Sequence, residues 1–215
     1  MLLQEKREEL IAVAQQIQKD KLVPLTFGNF SLRDFETGYV CITPSGMLYD
    51  QLKPEDIVVV DVDGKHVDGD RLPSIEKDLH CAVFRNRPEV GAVVHTHSTF
   101  VTTWACCNKA IPTIVAEVAA LVKGKIKCAP YALCGSQELA DVTAEYLKDD
   151  DAVLMANHGV LVVADSIQRA YVNAVIVEEG AKVAFYAEQL GGMYVFTPEE
   201  CETERLSANA GYGQR

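Results

Sequence analysis

No apolar run in this chain approaches the ~20 residues needed to cross a bilayer, so a membrane-spanning helix is not expected. Positive charge is also in short supply. Only 20 Lys and Arg stand against 31 Asp and Glu, for a formal net charge of -11. A field of that sign repels phosphodiester backbones and anionic lipid alike, which argues against nucleic acid or a membrane surface as partner. An anionic small substrate would have to be held by local donors. The seven cysteines contain no Cys-x-x-Cys pair, are odd in number and sit mostly in apolar context, the pattern of reduced, buried thiols in a cytoplasmic protein. The charged start, Gln4-Glu5-Lys6-Arg7, matches neither a secretory leader nor a membrane anchor. Histidine is scarcer still, with five in the chain, so the placement of each carries information.

What the chain does contain is a core. With 215 residues and 48% hydrophobic composition, one sizeable domain over 1–215 is expected. Leu3, Leu10, Ile11, Ala14 and Ile17 recur at helical spacing and predict an amphipathic first helix. Leu25 to Ser31 reads as a turn rich in small donors, Gly38 to Ile42 as a strand, and Thr43-Pro44-Ser45-Gly46 as a second donor-rich turn. Ile57 to Val62, Asp63-Gly64 and Lys65 to Val67 form a hairpin signal, which makes this part of the chain antiparallel sheet. Ser74 is a candidate cap for a helix that runs to about Asn86, and further helices are expected over Thr99–Cys107, Gln137–Leu147 and Ile167–Leu190. Ala152 to Ala156 reads as a buried strand that Val160 to Val163 continues. From about Glu199 the composition turns charged and then small, which reads as a flexible C-terminal tail.

Chemistry concentrates in Val93-Val94-His95-Thr96-His97-Ser98 and Asn157-His158-Gly159. Two histidines two apart on an extended segment face the same side, so both imidazoles can reach one ion. His158 ends another apolar run and can complete the set. Glu76, in the first turn of the helix near Ser74, reads either as a carboxylate balancing a helix dipole or as a functional acid beside a donor-rich helix start. Glu117 is the single charge in the small apolar stretch Ala116 to Val122, where a capping or solvated role is the plain reading.

Taken in order, Gly28-Asn29, Thr43-Pro44-Ser45-Gly46, Pro73-Ser74, Glu76, His95-Thr96-His97 and His158 resemble the class II aldolase, ribulose-phosphate 4-epimerase and adducin-head superfamily over nearly the whole chain. The resemblance implies an α/β fold, a single three-layer α/β/α domain around a mainly antiparallel sheet, assembled as a homotetramer with active sites at subunit interfaces. It implies a divalent metal on His95, His97 and His158, with Glu76 as a further ligand and as the acid/base that exchanges the proton on carbon. Imidazole ligands suit Zn²⁺, while Mn²⁺ or Co²⁺ fits the same nitrogen and oxygen set. It also implies a substrate phosphate held by Gly28, Asn29, Ser45, Gly46 and Ser74.

Within the superfamily the chain is similar to two branches. Glu at 76 and the run Ile126-Lys127-Cys128-Ala129-Pro130-Tyr131 resemble L-fuculose-phosphate aldolases. Leu22 to Ser31, His95-Thr96-His97-Ser98 and Tyr212-Gly213-Gln214 resemble the epimerases. The second acid/base of the epimerases would fall at Ala120, which cannot transfer a proton. The aldolase tyrosine after the Ile-Pro step would fall at Ala116, and the second phosphate serine at Ile75. Tyr212 matches the tail tyrosine that both branches use, and Glu117 is one step from the missing tyrosine, so the resemblance implies these two as candidates for the second catalytic proton. The expected activity is reversible cleavage of a ketose 1-phosphate, L-fuculose 1-phosphate or a 5-deoxy-pentulose 1-phosphate, into dihydroxyacetone phosphate and an aldehyde. A 4-epimerase, a decarboxylase of a phosphorylated oxo-acid and an adducin-like interaction domain are the competing readings.

Overall fold

A computed structural model describes residues 1–211. Seven α-helices flank one eight-stranded sheet: α1 Gln4–Lys19, β1 Asn29–Arg33, β2 Val40–Ile42, β3 Val58–Val60, β4 His66–Asp68, α2 Lys77–Asn86, β5 Ala92–Thr96, α3 Thr99–Cys106, α4 Ala116–Leu121, β6 Lys127–Ala129, α5 Gln137–Leu147, β7 Ala152–Met155, β8 Gly159–Ala164, α6 Ile167–Gln189 and α7 Pro198–Gly211. The sheet order is β4-β3-β2-β1-β5-β8-β7-β6, and every pairing is antiparallel except β6 with β7. The expected three-layer α/β/α architecture around a mainly antiparallel sheet is what the structure has.

The central strands are apolar on both faces because both are covered, and side-chain alternation divides them between two cores. Phe30, Val94, Val160 and Val162 pack with α1, α3 and α6. Ile42, Val93, Leu161 and Val163 pack with α2 and α5. His95 shares the face of Val93 and therefore points toward α2. That placement brings the histidine strand to the helix that follows Glu76.

Three stretches differ from their sequence reading. Asn29–Arg33, taken as the end of a turn, is the strand that pairs β5 with β2, its turn composition ending at Gly28-Asn29. Val160–Val163 does not continue the strand before it. Asn157 takes a left-handed backbone (φ 59), which asparagine tolerates better than most residues, and the chain reverses into a β7–β8 hairpin with His158 in its loop. The stretch from about 199, expected to be a flexible tail, is helix α7, packed on α4. Its cause is local: Thr197 Oγ1 accepts from the Glu200 N–H at 3.2 Å, and the Glu200 carboxylate accepts from the Thr197 N–H at 2.8 Å. This is a capping box with proline at the first helical position.

Helix α2 also starts later than expected. Ser74 does not cap it from the N-cap position; its Oγ accepts from the Glu76 N–H at 3.2 Å, while Glu76 itself occupies the helix threshold. At α5 the expectation holds, with Ser136 Oγ accepting from the Leu139 N–H at 3.1 Å.

Candidate metal centre and active site

Central strand β5 carries His95 near its C-terminal end, and the chain leaves the sheet at His97 to enter α3. The start of α3 is tied down by Glu178 of α6, whose carboxylate accepts from Ser98 Oγ and from the N–H groups of Phe100 and Val101, all at 2.8–2.9 Å. A carboxylate on those first free N–H groups suits the positive end of a helix. His158 arrives from the β7–β8 hairpin. The hairpin can lie this close to β5 only because residue 159 is glycine: a Cβ there would sit 2.3 Å from the Thr96 carbonyl oxygen. Gly28 is similarly required, since it has a positive φ and a Cβ would meet the His95 carbonyl at 2.7 Å.

The three imidazoles meet with ring centroids 4.6–4.8 Å apart. His95 Nδ1 is 2.9 Å from the Val160 carbonyl, which can only accept, so Nδ1 carries the proton and the Nε2 lone pair is turned into the cluster. His97 Nε2 lies 2.8 Å from His95 Nε2. Glu76 joins them with Oε2 3.4 Å from His95 Nε2 and Oε1 3.5 Å from His158 Nε2. The donors of the three histidines lie within 4.8 Å of one another, a set able to hold one divalent ion.

The electrostatics fit that use. Burial pushes the Glu76 carboxyl up, but the His95 and His158 imidazoles and the Asn29 hydrogen bond outweigh it and hold the group at about 2. Burial, then the neighbouring imidazoles, lowers His97 to about 3 and His158 to about 4. Neutral imidazoles and an ionised carboxylate are the forms that bind a metal cation.

Of the residues expected to meet a phosphate, the structure gathers the loops. The Ser74 N–H donates to the Thr43 carbonyl at 3.1 Å and the Ser45 N–H to the Leu72 carbonyl at 3.0 Å, so the turn containing Ser45 and Gly46 lies against the one containing Ser74. Thr43 Oγ1 accepts from the Phe30 N–H, which ties both turns to the strand behind Gly28-Asn29. Ser45 and Gly46 are exposed. Asn29 is more committed: its Nδ2 donates to Glu76 Oε2 at 2.8 Å, leaving one amide hydrogen for another partner. Glu117 is exposed in the first turn of α4 and makes no hydrogen bond or ion pair with Glu76 or the three histidines. Tyr212 lies outside the described residues.

Two site residues were not visible in the sequence. Cys134 is exposed as a residue, but its thiol is partly buried where it donates to Glu76 Oε1 at 3.4 Å; that partial burial, then Glu76, pushes the thiol up to about 12. The expectation of mostly buried cysteines fails here and at the exposed Cys106 and Cys107; Cys41 and Cys81 are buried, and Cys128 and Cys201 are half-buried. His80 is the other, one helical turn beyond Glu76, a spacing that signals a shared face. Volume alone does not mark the site. A cavity of about 740 Å³ lined by Ile111, Ile126, Lys123, Phe196 and Arg205 contains none of the metal set.

Three imidazoles and a carboxylate converge where the end of β5, the β7–β8 hairpin and the turn before α2 meet, a donor set of the kind that holds a divalent ion in metal-dependent lyases. The chain belongs to the family described as Class II Aldolase and Adducin N-terminal domain, whose model matches residues 8–185. It is 38% identical, over the full length of both chains, to the 5-deoxy-D-ribulose 1-phosphate aldolase of Bacillus thuringiensis serovar kurstaki. Among solved structures it is similar to an L-fuculose 1-phosphate aldolase (TM-score 0.92, 33% identity, covering 95% of this chain and 96% of that one). It also resembles YgbL of Escherichia coli, titled a putative aldolase/epimerase/decarboxylase (TM-score 0.86, 31% identity, 94% and 98% covered). No helix among the described residues is long and apolar enough to cross a membrane.

Proposed function

We propose that this protein is a metal-dependent aldolase that reversibly cleaves a ketose 1-phosphate into dihydroxyacetone phosphate and an aldehyde, with a 5-deoxy-pentulose 1-phosphate or L-fuculose 1-phosphate as substrate. The observation that carries the reading is Glu76 lying between His95 and His158 while its own loop abuts the turns of Thr43–Gly46. His95, His97 and His158 would hold the ion, with Glu76 as a fourth donor when substrate is absent; zinc is the metal that imidazole ligation favours. A divalent cation there supplies Lewis-acid stabilisation of the charge that carbon–carbon cleavage leaves on the substrate carbonyl oxygen. Glu76, ionised at neutral pH, takes or returns the proton on the adjacent carbon. The Ser45 and Ser74 hydroxyls, the second Asn29 amide hydrogen and the N–H groups of Gly28 and Gly46 bind the phosphate, a local anion site on a chain of net charge -11.

The second proton, on the aldehyde oxygen, is assigned to Tyr212, with Glu117 as the rival donor. Asn209 of α7 lines one cleft with Ala164, Asp165 and Arg169, at the end of β8 away from Gly159. Five strand steps separate those ends, ~17 Å. That supports a role for Tyr212 at the centre of a neighbouring copy, in a homotetramer with interfacial sites. Free cysteines throughout the described residues support a cytoplasmic location.

Incubating the zinc-loaded protein with dihydroxyacetone phosphate and a panel of aldehydes, and separately with L-ribulose 5-phosphate, tests the reading. Condensation with acetaldehyde or lactaldehyde is expected. Epimerisation of L-ribulose 5-phosphate without condensation would replace the proposal by the epimerase that Ala120 argues against.

A further inference from the structure

Behind Glu76 lies a buried chain of polar side chains that metal binding does not use. Ser31 Oγ is 2.6 Å from His80 Nδ1, His80 Nε2 is 2.5 Å from Asn29 Oδ1, and Asn29 Nδ2 is 2.8 Å from Glu76 Oε2. Ser31 and His80 are fully buried, and Asn29 and Glu76 nearly so, at 5% and 4% exposure. Their proton positions follow from the acid end. An ionised carboxylate only accepts, so Asn29 must turn its amide nitrogen to Glu76 and its oxygen to His80. His80 then carries its proton on Nε2, and its bare Nδ1 must accept from the Ser31 hydroxyl. Burial holds His80 at about 3, which keeps the ring neutral and its tautomer defined.

We propose that Ser31 and His80 are positioning residues for the reaction: with Asn29 they form a one-directional hydrogen-bond relay that fixes the Glu76 carboxylate and commits its Oε2, leaving Oε1, which accepts only the weak Cys134 thiol hydrogen bond, to exchange the proton. The inference rests on the reading of Glu76 as the acid/base. The Glu76 carboxylate and the His80 N–H hold the Asn29 amide in the same orientation from its two ends. Without the His80 N–H, the Asn29 oxygen is left buried with no donor, and the cost of that unmet group loosens the amide's hold on Glu76. The same relay lies across the strand from the metal set, since Asn29 is paired in register with His95. A fixed Glu76 therefore comes with a fixed β1–β5 seam.

The test compares His80→Leu, His80→Gln, Ser31→Ala and Glu76→Gln by kcat and KM for ketose 1-phosphate cleavage, by zinc content and by thermal midpoint, with histidine ¹⁵N NMR on the metal-free wild type. Loss of a partner behind a metal-site residue typically costs ~10- to 100-fold in activity. His80→Leu is expected to lower kcat by that factor with KM and zinc content kept, and His80→Gln to recover much of it through its amide donor. Ser31→Ala is expected to lower kcat less. The His80 resonances should show a proton on Nε2 and none on Nδ1. A His80→Leu protein that folds, holds zinc and turns over as wild type, while Glu76→Gln is dead, overturns the relay and leaves the reading of Glu76 standing. Wild-type turnover in Glu76→Gln overturns both. If His80→Leu does not fold, an Nδ1-protonated tautomer or an unaffected Ser31→Ala overturns the relay.

Discussion

Glu76 is buried against the imidazoles of His95 and His158, and substitution separates its two roles. Glu76→Gln should keep the fold and most of the metal, because three imidazoles remain, yet lose ~10²- to 10⁴-fold in turnover, the usual weight of a general acid/base. Steady-state kinetics with metal analysis on one preparation decides this, and wild-type turnover would reduce Glu76 to a structural residue. His95→Ala should purify with little metal, since His95 is the proposed ligand whose tautomer the Val160 carbonyl fixes; full occupancy by elemental analysis would contradict the assignment. Acid stability follows from the same groups. In metal-free protein His80, His97 and His158 are lowered to about 3, 3 and 4 from 6.5, burial being the main cause. Between those limits the unfolded chain binds more protons than the folded one, so their contribution is complete above pH 6.5 and is lost as pH falls toward 3. Denaturation of the metal-free protein at stepped pH should show stability declining through that window, and a flat profile would contradict it. At this scale the sequence was informative where periodicity is: His95 and His97 share a strand face by simple alternation. Cys134 was not legible, because its contact with Glu76 depends on how the loop before α5 packs against the turn before α2.

The elements were legible wherever a run of apolar residues was bounded by turn signals, as at α5, where Ser136 caps the start. They were misread where one residue decides the path. Asn157 reverses the chain at a point where composition continues as strand, and Thr197-Pro198-Glu199-Glu200 starts a helix in a stretch whose overall composition suggests none. Both features are testable. Gly159→Ala places a methyl group against the Thr96 carbonyl, so the hairpin must retreat from β5 and take His158 with it. The variant should lose zinc affinity along with thermal stability; unchanged affinity by competition with a chelator would show that the hairpin can move without disturbing the ligand. Thr197→Ala removes one half of the α7 capping box and should cost ~1 kcal/mol in chemical denaturation. A cost near zero would mean that α7 is held by its packing on α4 alone.

For the whole molecule, the fold followed from the order of the motifs along nearly the entire chain, whereas the assembly and the tail depend on surfaces that one chain does not complete. If Tyr212 serves the centre of a neighbouring copy, inactive His95→Ala and Tyr212→Phe proteins, unfolded together and refolded, should regain part of the wild-type turnover in mixed oligomers. A mixture no more active than the sum of its parts would confine each centre to its own chain. The measurement that tests the central claim most directly is the fate of a 5-deoxy-pentulose 1-phosphate presented to the zinc-loaded protein. The account predicts dihydroxyacetone phosphate and acetaldehyde in equal amounts, a reaction that stops on chelation, returns with zinc and is absent in His95→Ala. An untouched substrate, with L-fuculose 1-phosphate equally untouched, would contradict it.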